Sequence, residues 1–390
     1  MNRFVRRFID TLRKGDLVLL LLCIVANAFG CLMVASTTAG YSEGSLRYLL
    51  VQIGASFAGI AAYVGISAVD AEFFSEHRRS LVVFNTLLLF MLIPFGVTVN
   101  GNRSWLNFPL LPFNIQVAEI CKITFILILA SVMASHQNQL SNYKNIVHMM
   151  FHLGLVFGLS ILLSDDLGVS LVFLVIFAGM AFAGGVNLLW FAAALLLIGV
   201  AAPVMWSFMP EYRQQRILVL LDPSLDPYGT GAMYHSIRAQ RSLTGGGLTG
   251  QGLFQGNRTQ AGALFAQHTD YIFAAIGEEL GFLGCAFVLL LLALIVGRCI
   301  WVGVRSQDLM RRLVCFGAAA ALIFQVVINV GMCIGVMPVI GLTLPFISYG
   351  GSSIITLYAM LGLVSGVYAR PAPTSQERYI RPPLPSRIGF

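Results

Sequence analysis

Residues 266–284 read AQHTDYIFAAIGEELGFLG, and they lead into an apolar run that continues to residue 297. Three carboxylates, Asp270, Glu278 and Glu279, therefore gather within ten residues at the mouth of a hydrophobic segment, in a chain of which only 11% is charged. A carboxylate beside hydrocarbon is costly unless it is paired, hydrated or used in chemistry. The run is close to the ~20 apolar residues that carry a helix across a bilayer. Similar windows recur from end to end, at about 17–38, 47–68, 80–99, 115–134, 146–164, 167–185, 187–209, 271–297, 313–336 and 346–369. The sixth and seventh are separated only by Gly184, Gly185 and Asn187. The 390 residues are 57% hydrophobic with a mean hydropathy of +0.82, whereas a soluble protein would be roughly a quarter charged. The expected fold is an all-α polytopic membrane protein of ten helices. Residues 1–370 would form one transmembrane domain, and the Pro-rich, basic stretch 371–390 a disordered cytoplasmic tail.

Orientation follows from the basic residues. Arg3, Arg6, Arg7, Arg13 and Lys14 precede the first span, and Arg78, Arg79, Lys144, Arg298, Arg305, Arg311, Arg312 and Arg370 recur in later segments on the same side. Such a bias marks the cytoplasmic side, so both termini are expected inside. The basic start resembles a signal peptide, but its long apolar core and the nine spans after it identify a retained helix. The net charge of +7 then reflects anchoring to an anionic leaflet, with no nucleic-acid partner implied. Seven cysteines lie in or beside spans without a CxxC pair, which disfavours disulfides and ligand clusters. His148 and His152 are spaced i, i+4 but have no third ligand nearby, and read as core.

The remaining polar chemistry gathers at the outer face. The loop at about 210–270, between the seventh and eighth helices, holds DPSLDPYG, whose Asp-Pro pairs and closing Gly signal turns. It also holds TGGGLTGQGLFQG, where glycines would let backbone approach a ligand and offer N–H groups to anions. In NGNRSWLNFPLLPFNIQVAEICK (100–122), an outer loop with Arg103 and Trp105 leads into a span containing Glu119 and Lys122, three apart on one helical face. These two form either a structural ion pair or part of a polar cavity. In LLSDDLGVS (162–170), Asp166 is placed to cap the next helix. Finally, NVGMCIGVMPVIGLTLPFISYGGSSI (329–354) puts Asn329 inside a span. It then breaks the helix with Pro338, Gly341 and Pro345, and opens the last helix at Tyr349–Ser353. Broken backbone at this depth must be buried in protein or line a wet cavity. A donor-rich helix start facing outward suits an anionic headgroup.

QHTDYIFAAIGEELGFLG, LLDPSLDPYGTG and NVGMCIGVMPVIGLTLPFISYGGSS resemble signature blocks of the SEDS family (shape, elongation, division and sporulation; RodA, FtsW and SpoVE), and 100–122 and DDLGVS match two further blocks more loosely. The blocks come in order along almost the whole chain. The resemblance implies a peptidoglycan glycosyltransferase that polymerises lipid II at the outer face of the bacterial plasma membrane, working with a class B penicillin-binding protein. It places the family's essential loop aspartate at Asp270, its outer-loop tryptophan at Trp105, its intramembrane acid and lysine at Glu119 and Lys122, and an arginine at Arg216.

The chemistry fits that implication. Joining a sugar C4 hydroxyl to an anomeric carbon needs a base, for which Asp270, with His268 and Thr269 beside it in sequence, is the catalytic candidate, while His268, Trp105 and Glu119 are candidates for binding the substrate. The departing diphosphate needs cations or N–H donors, for which Arg103, Lys122, Arg213, Arg216 and Ser352 are candidates. An α-linked diphosphate giving a β-1,4 chain requires inversion. No cofactor is encoded visibly, although a divalent cation bridging Asp270 and diphosphate suits this chemistry. The chain departs from the family pattern at Gln116-Val117-Ala118-Glu119, at Ser164–Gly168, and at His235, Arg238, Thr244 and Phe265-Ala266. Two other functions fit these features: a flippase of the lipid-linked precursor, or a scaffold that recruits the penicillin-binding protein.

Overall fold

The computed structural model describes residues 12–41, 45–99, 102–108, 112–164, 166–226, 230–231, 233–264 and 266–370. Phe265, Asp165, the extreme N-terminus and the 371–390 tail lie outside the described residues. Among the described residues, ten helices are long and apolar enough to cross a membrane.

The bundle opens with α1 (Leu17–Thr38), capped by Asp16 Oδ1, which accepts from Leu19 N at 3.0 Å. Then come α2 (Ser45–Ser67), the short α3 (Ala71–Glu76), and a third span made of α4 (Arg78–Phe90) and α5 (Leu92–Phe95). Spans α6 (Val117–Ser135), α7 (Tyr143–Ser164), α8 (Leu167–Gly184) and α9 (Leu188–Phe208) follow. The long loop contains α10 (Glu211–Leu221), α11 (Tyr234–Gly245) and the single turn α12 (Asn257–Gln260). The last three spans are α13 (Ile272–Arg305), α14 (Leu309–Ile334) and α15 (Gly351–Ala369). Helices α6 and α15 are buried along most of their length, whereas α9 buries no residue at all. Small residues set the tightest packing. Gly362 and Gly366 of α15, spaced GxxxG, bring α2 so close that a methyl on Gly362 would lie 2.6 Å from Tyr63 O.

Three spans differ most from the sequence-based expectation: the eighth, expected to end at 297, runs on to Arg305, and the third and the last are shorter than expected. The third span ends at Phe95 rather than near 99, because Gly96–Val99 is a strand, β1. It pairs with β2 (Asn102–Leu106), which pairs in turn with β3 (Ile115–Gln116), in an antiparallel sheet of order β1-β2-β3. The Asn100-Gly101 dipeptide, the strongest short hairpin signal, announces the first connection. The last span begins at Gly351 rather than 346, since the chain from Val336 to Gly350 runs without regular structure.

The glycine-rich loop also has a different use from the one expected. Helix α13 is broken at Gly281, whose φ of 66° and ψ of −162° free the helical groups on either side. The freed carbonyls of Glu278 and Glu279 accept from Gln251 N and Gly252 N at 3.0 and 2.9 Å, while Phe282 N and Leu283 N donate to Gly247 O and Leu248 O. Two amides of the loop, those of Gln251 and Gly252, and two of its carbonyls are thus spent on the helix break. Glycine is needed for the close approach: at Gly250, with φ of 84°, a Cβ would lie 2.1 Å from Glu279 O. Gly250→Ala is expected to cost on the order of 1–3 kcal/mol or more, read as a lowered Tm in detergent. Gly247→Ala is the comparison: its φ of 56° carries the same left-handed backbone strain, but a Cβ there meets no atom within 4 Å, so the extra loss in Gly250→Ala reads the clash alone.

Candidate functional site

Glu278 and Glu279 project from the first half of α13 into the loop and are fully buried. Glu278 accepts from Arg258 N (2.8 Å), Thr259 N (3.1 Å) and Thr259 Oγ1 (2.8 Å), which caps α12 from a distance. Glu279 accepts from Ser36 Oγ on α1 (2.5 Å), Gln260 Nε2 (2.9 Å) and Phe254 N (3.3 Å). Each carboxylate is satisfied by donors from distant segments, so the pair clamps the loop to the bundle.

Asp270 is held differently. It lies in the turn before α13, and that turn is pinned through its backbone. Asn329 Nδ2, fully buried on α14, donates to Asp270 O at 2.9 Å and to Leu342 O at 2.7 Å. Ser348 Oγ donates to Thr269 O at 2.6 Å, and Tyr349 N to His268 O at 2.8 Å. Gln52 of α2 holds the other side of that segment, donating to Ser348 O and accepting from Gly350 N, both at 3.2 Å. None of these backbone bonds uses the Asp270 carboxylate, and the residue is half-buried.

Three charged groups converge on the segment Val339–Gly341. A methyl on Gly341 would lie 3.4 Å from Asp270 Oδ2. Arg216 Nη1 donates to Val339 O at 3.0 Å. A methyl on Gly168 would meet both Ile340 and Asp166 Oδ1, so the capped start of α8 packs on the same segment. Asp166 Oδ1 accepts from Val169 N at 3.2 Å and its Oδ2 from Ser104 Oγ at 3.3 Å, tying β2 to this point. Arg213, one turn before Arg216, acts on the Asp166 carboxylate as a favourable charge. Burial raises the Asp270 carboxyl to about 6; the Thr269 hydroxyl opposes that rise and the charge of Asp166 adds to it. Asp166 is also raised, chiefly by burial. Asp166→Asn preserves the cap, since Asn caps as well as Asp, but removes the like charge. The acid limb of any activity that uses ionised Asp270 is expected to move to lower pH in that variant, as a pH–rate profile would show.

Other candidates are placed elsewhere. The Arg103 guanidinium, exposed, donates to Ile93 O (2.6 Å) in α5 and to Gly96 O (3.2 Å) in its own hairpin. Trp105 pairs with Val97 and Gln116 in the sheet. Lys122 Nζ lies 2.7 Å from Glu119 Oε1, with side chains 3% and 6% exposed, and Thr356 donates to the other oxygen at 3.1 Å. The ammonium thus faces its partner carboxylate inside the bundle. The start of α15 is covered: Ser352 is buried and accepts from Gln116 N at 3.3 Å, and Phe113 sits against Gly351. It is therefore not the open anion site its residues suggest. The His268 ring turns away into Tyr41, Tyr48 and Tyr349, with centroids 4.9–5.7 Å apart, and burial lowers its pKa to about 4. Asn329 is visible in the sequence as a polar residue within a span, but Gln52 and Ser348 give no signal beyond being polar in apolar surroundings.

The departures from the family pattern are accommodated locally. Arg238 donates to Ala263 O at 2.7 Å and stacks 4.2 Å from the Tyr234 ring centre. His235 packs against Tyr234 and Tyr271, and burial, with Arg216 and Arg238 nearby, lowers its pKa. Thr244 bonds back to Gln240 O within its helix.

Residues 16–371 match the family model of FtsW, RodA and SpoVE, described as cell cycle protein. The chain belongs to this family. It is 30% identical over 356 residues to the peptidoglycan glycosyltransferase MrdB of Escherichia coli K12, covering 90% of this chain and 93% of that one. Its fold matches a chain solved in a study of how a peptidoglycan synthase complex coordinates polymerization and crosslinking, with a TM-score of 0.74, 29% identity and coverage of 94% and 98%. It also matches the rod shape determining protein RodA of Thermus thermophilus, with a TM-score of 0.66, 28% identity and coverage of 91% and 96%. The family resemblance of the sequence blocks is thus established, and so is the ten-span helical fold.

Proposed function

We propose that this chain is a peptidoglycan glycosyltransferase that polymerises lipid II, with Asp270 as its general base. The observation that carries the proposal is the convergence of Asp270, Asp166 and Arg216 on Val339–Gly341 in a member of a family with curated glycosyltransferases. In this reading the acceptor sugar's C4 oxygen attacks the anomeric carbon of the donor and gives its proton to the Asp270 carboxylate. The bond from that carbon to the diphosphate breaks, and the configuration inverts. Arg216 and Arg213 face the departing diphosphate and stabilise its charge. A base with a pKa near 6 is mostly ionised at neutral pH and still close enough to it to suit proton transfer. The buried Glu119–Lys122 pair holds α6 against α15 through Thr356.

The reading places both termini in the cytoplasm and Asp270 at the outer face of the plasma membrane, on the strength of the basic residues gathered at the opposite end of the bundle. It takes a class B penicillin-binding protein as partner, supported by the likeness to a synthase complex that couples polymerization to crosslinking. Among the described residues no group of three or more His, Cys, Asp or Glu could hold a metal. A divalent cation bridging the diphosphate would have Asp270 as its nearest candidate carboxylate and would supply charge neutralisation there, and none of the steps above depends on it.

The test is strand formation from lipid II by the purified protein, alone and with its penicillin-binding partner. Glycan strands are expected. Their absence in both cases would overturn the proposal in favour of a scaffold, unless vesicle assays showed lipid II translocation, which would identify a flippase.

A further inference from the structure

At the end of α13 opposite Asp270, Arg298, Trp301 and Arg305 lie at i, i+3 and i+7, on one stripe of the helix. The guanidinium carbons of Arg298 and Arg305 sit 4.1 and 3.9 Å from the Trp301 ring centre, and that of Arg298 lies 5.3 Å from Tyr368 on α15. Arg298 is neutralised: its Nε lies 2.8 Å from Oδ2 of the buried cap Asp16. Arg305 is not, for no carboxylate among the described residues pairs with it. Arg13 and Lys14, both exposed, precede Asp16 by three and two residues. Their Cα atoms are therefore within about 12 Å of it.

Two features say what such a cluster meets. From Gly281 to Arg305 the helix rises about 36 Å at 1.5 Å per residue, which exceeds the ~30 Å hydrocarbon core. With the loop packed on the helix at Gly281 marking one boundary, Trp301 and Arg305 stand at headgroup level at the other. Below them on the same stripe, Leu290 and Leu294 are 60% and 49% exposed, and Val304 beside them is 67% exposed. This is an apolar wall suited to acyl chains.

We propose that Arg13, Lys14, Trp301 and Arg305 form a headgroup site for an anionic phospholipid of the leaflet at that end. The phosphate would bridge Arg305 to the start of α1, and the acyl chains would lie along Leu290, Leu294 and Val304. A guanidinium stacked on an indole keeps its N–H edge for a phosphate, and a juxtamembrane cation attracts anionic lipid. The site joins α1 to the distal end of the helix whose other end follows Asp270.

The test retains Trp301 as the sole tryptophan, with Trp105, Trp190 and Trp206 replaced by Phe, in nanodiscs containing brominated phosphatidylglycerol or brominated phosphatidylcholine. Quenching is expected to favour phosphatidylglycerol, and Arg305→Gln is expected to reduce that preference by about fivefold, the share of one juxtamembrane cation. Equal quenching by both lipids in the parent protein would overturn the proposal. So would loss of the preference with millimolar glycerol 3-phosphate, which would identify a soluble phosphate ester as the ligand. Should the tryptophan replacements impair folding, native mass spectrometry of the full protein tests the same site. Wild type is expected to retain phosphatidylglycerol better than Arg305→Gln, and equal retention would sink the site.

Discussion

Lys122→Met is expected to destabilise the protein by about 3–5 kcal/mol, because it leaves the Glu119 carboxylate charged and alone in an enclosed space. The ammonium lies 2.7 Å from Glu119 Oε1, and neither side chain reaches solvent appreciably. Thr356 satisfies the second carboxylate oxygen at 3.1 Å but carries no charge. Adding Glu119→Gln should recover most of the loss, since glutamine can still accept from Thr356 and leaves nothing charged behind. Thermal unfolding in detergent reads both variants. A Lys122→Met protein as stable as wild type would show that the pair contributes no stability.

The larger effect on rate belongs to Asp270. Asp270→Asn keeps the size of the side chain, and the backbone bonds from Asn329, Ser348 and Tyr349 that fix this turn do not involve it. Removal of a general base typically lowers the rate by about 10²–10⁴-fold. In the wild type only the ionised carboxylate can take the proton. With its pKa raised to about 6, activity should increase as pH rises through that value and fall about tenfold per unit below it. The limb disappears in Asp270→Asn. An unchanged limb in that variant would assign the titration to another group.

Much of the membrane architecture is legible because hydrophobic length is a local property. The first span reads as 17–38 in the sequence and runs Leu17–Thr38 in the fold, since Asp16 and Gly40 bound one continuous apolar run. The break at Gly281 is not legible, because GEELGFLG sits inside a hydrophobic stretch and nothing local says that the freed groups will be met by residues 247–252. The same holds for the glycine-rich loop, whose composition suggests anion binding but whose partners lie about thirty residues away. The carboxylates at 270–279 can be found in the sequence but not separated by role there. Glu278 and Glu279 differ from Asp270 because Thr259, Gln260 and Ser36 reach the first two, while Val339–Gly341 brings Arg216 and Asp166 toward the third. Those are long-range contacts that only the fold creates.

The most direct measurement compares glycan strands made from labelled lipid II by wild type and by Asp270→Asn, each shown folded by its unfolding profile and each supplied with the same penicillin-binding partner. The account predicts strands from wild type and essentially none from Asp270→Asn. Equal product from the two proteins would contradict it, and would remove this carboxylate from the chemistry.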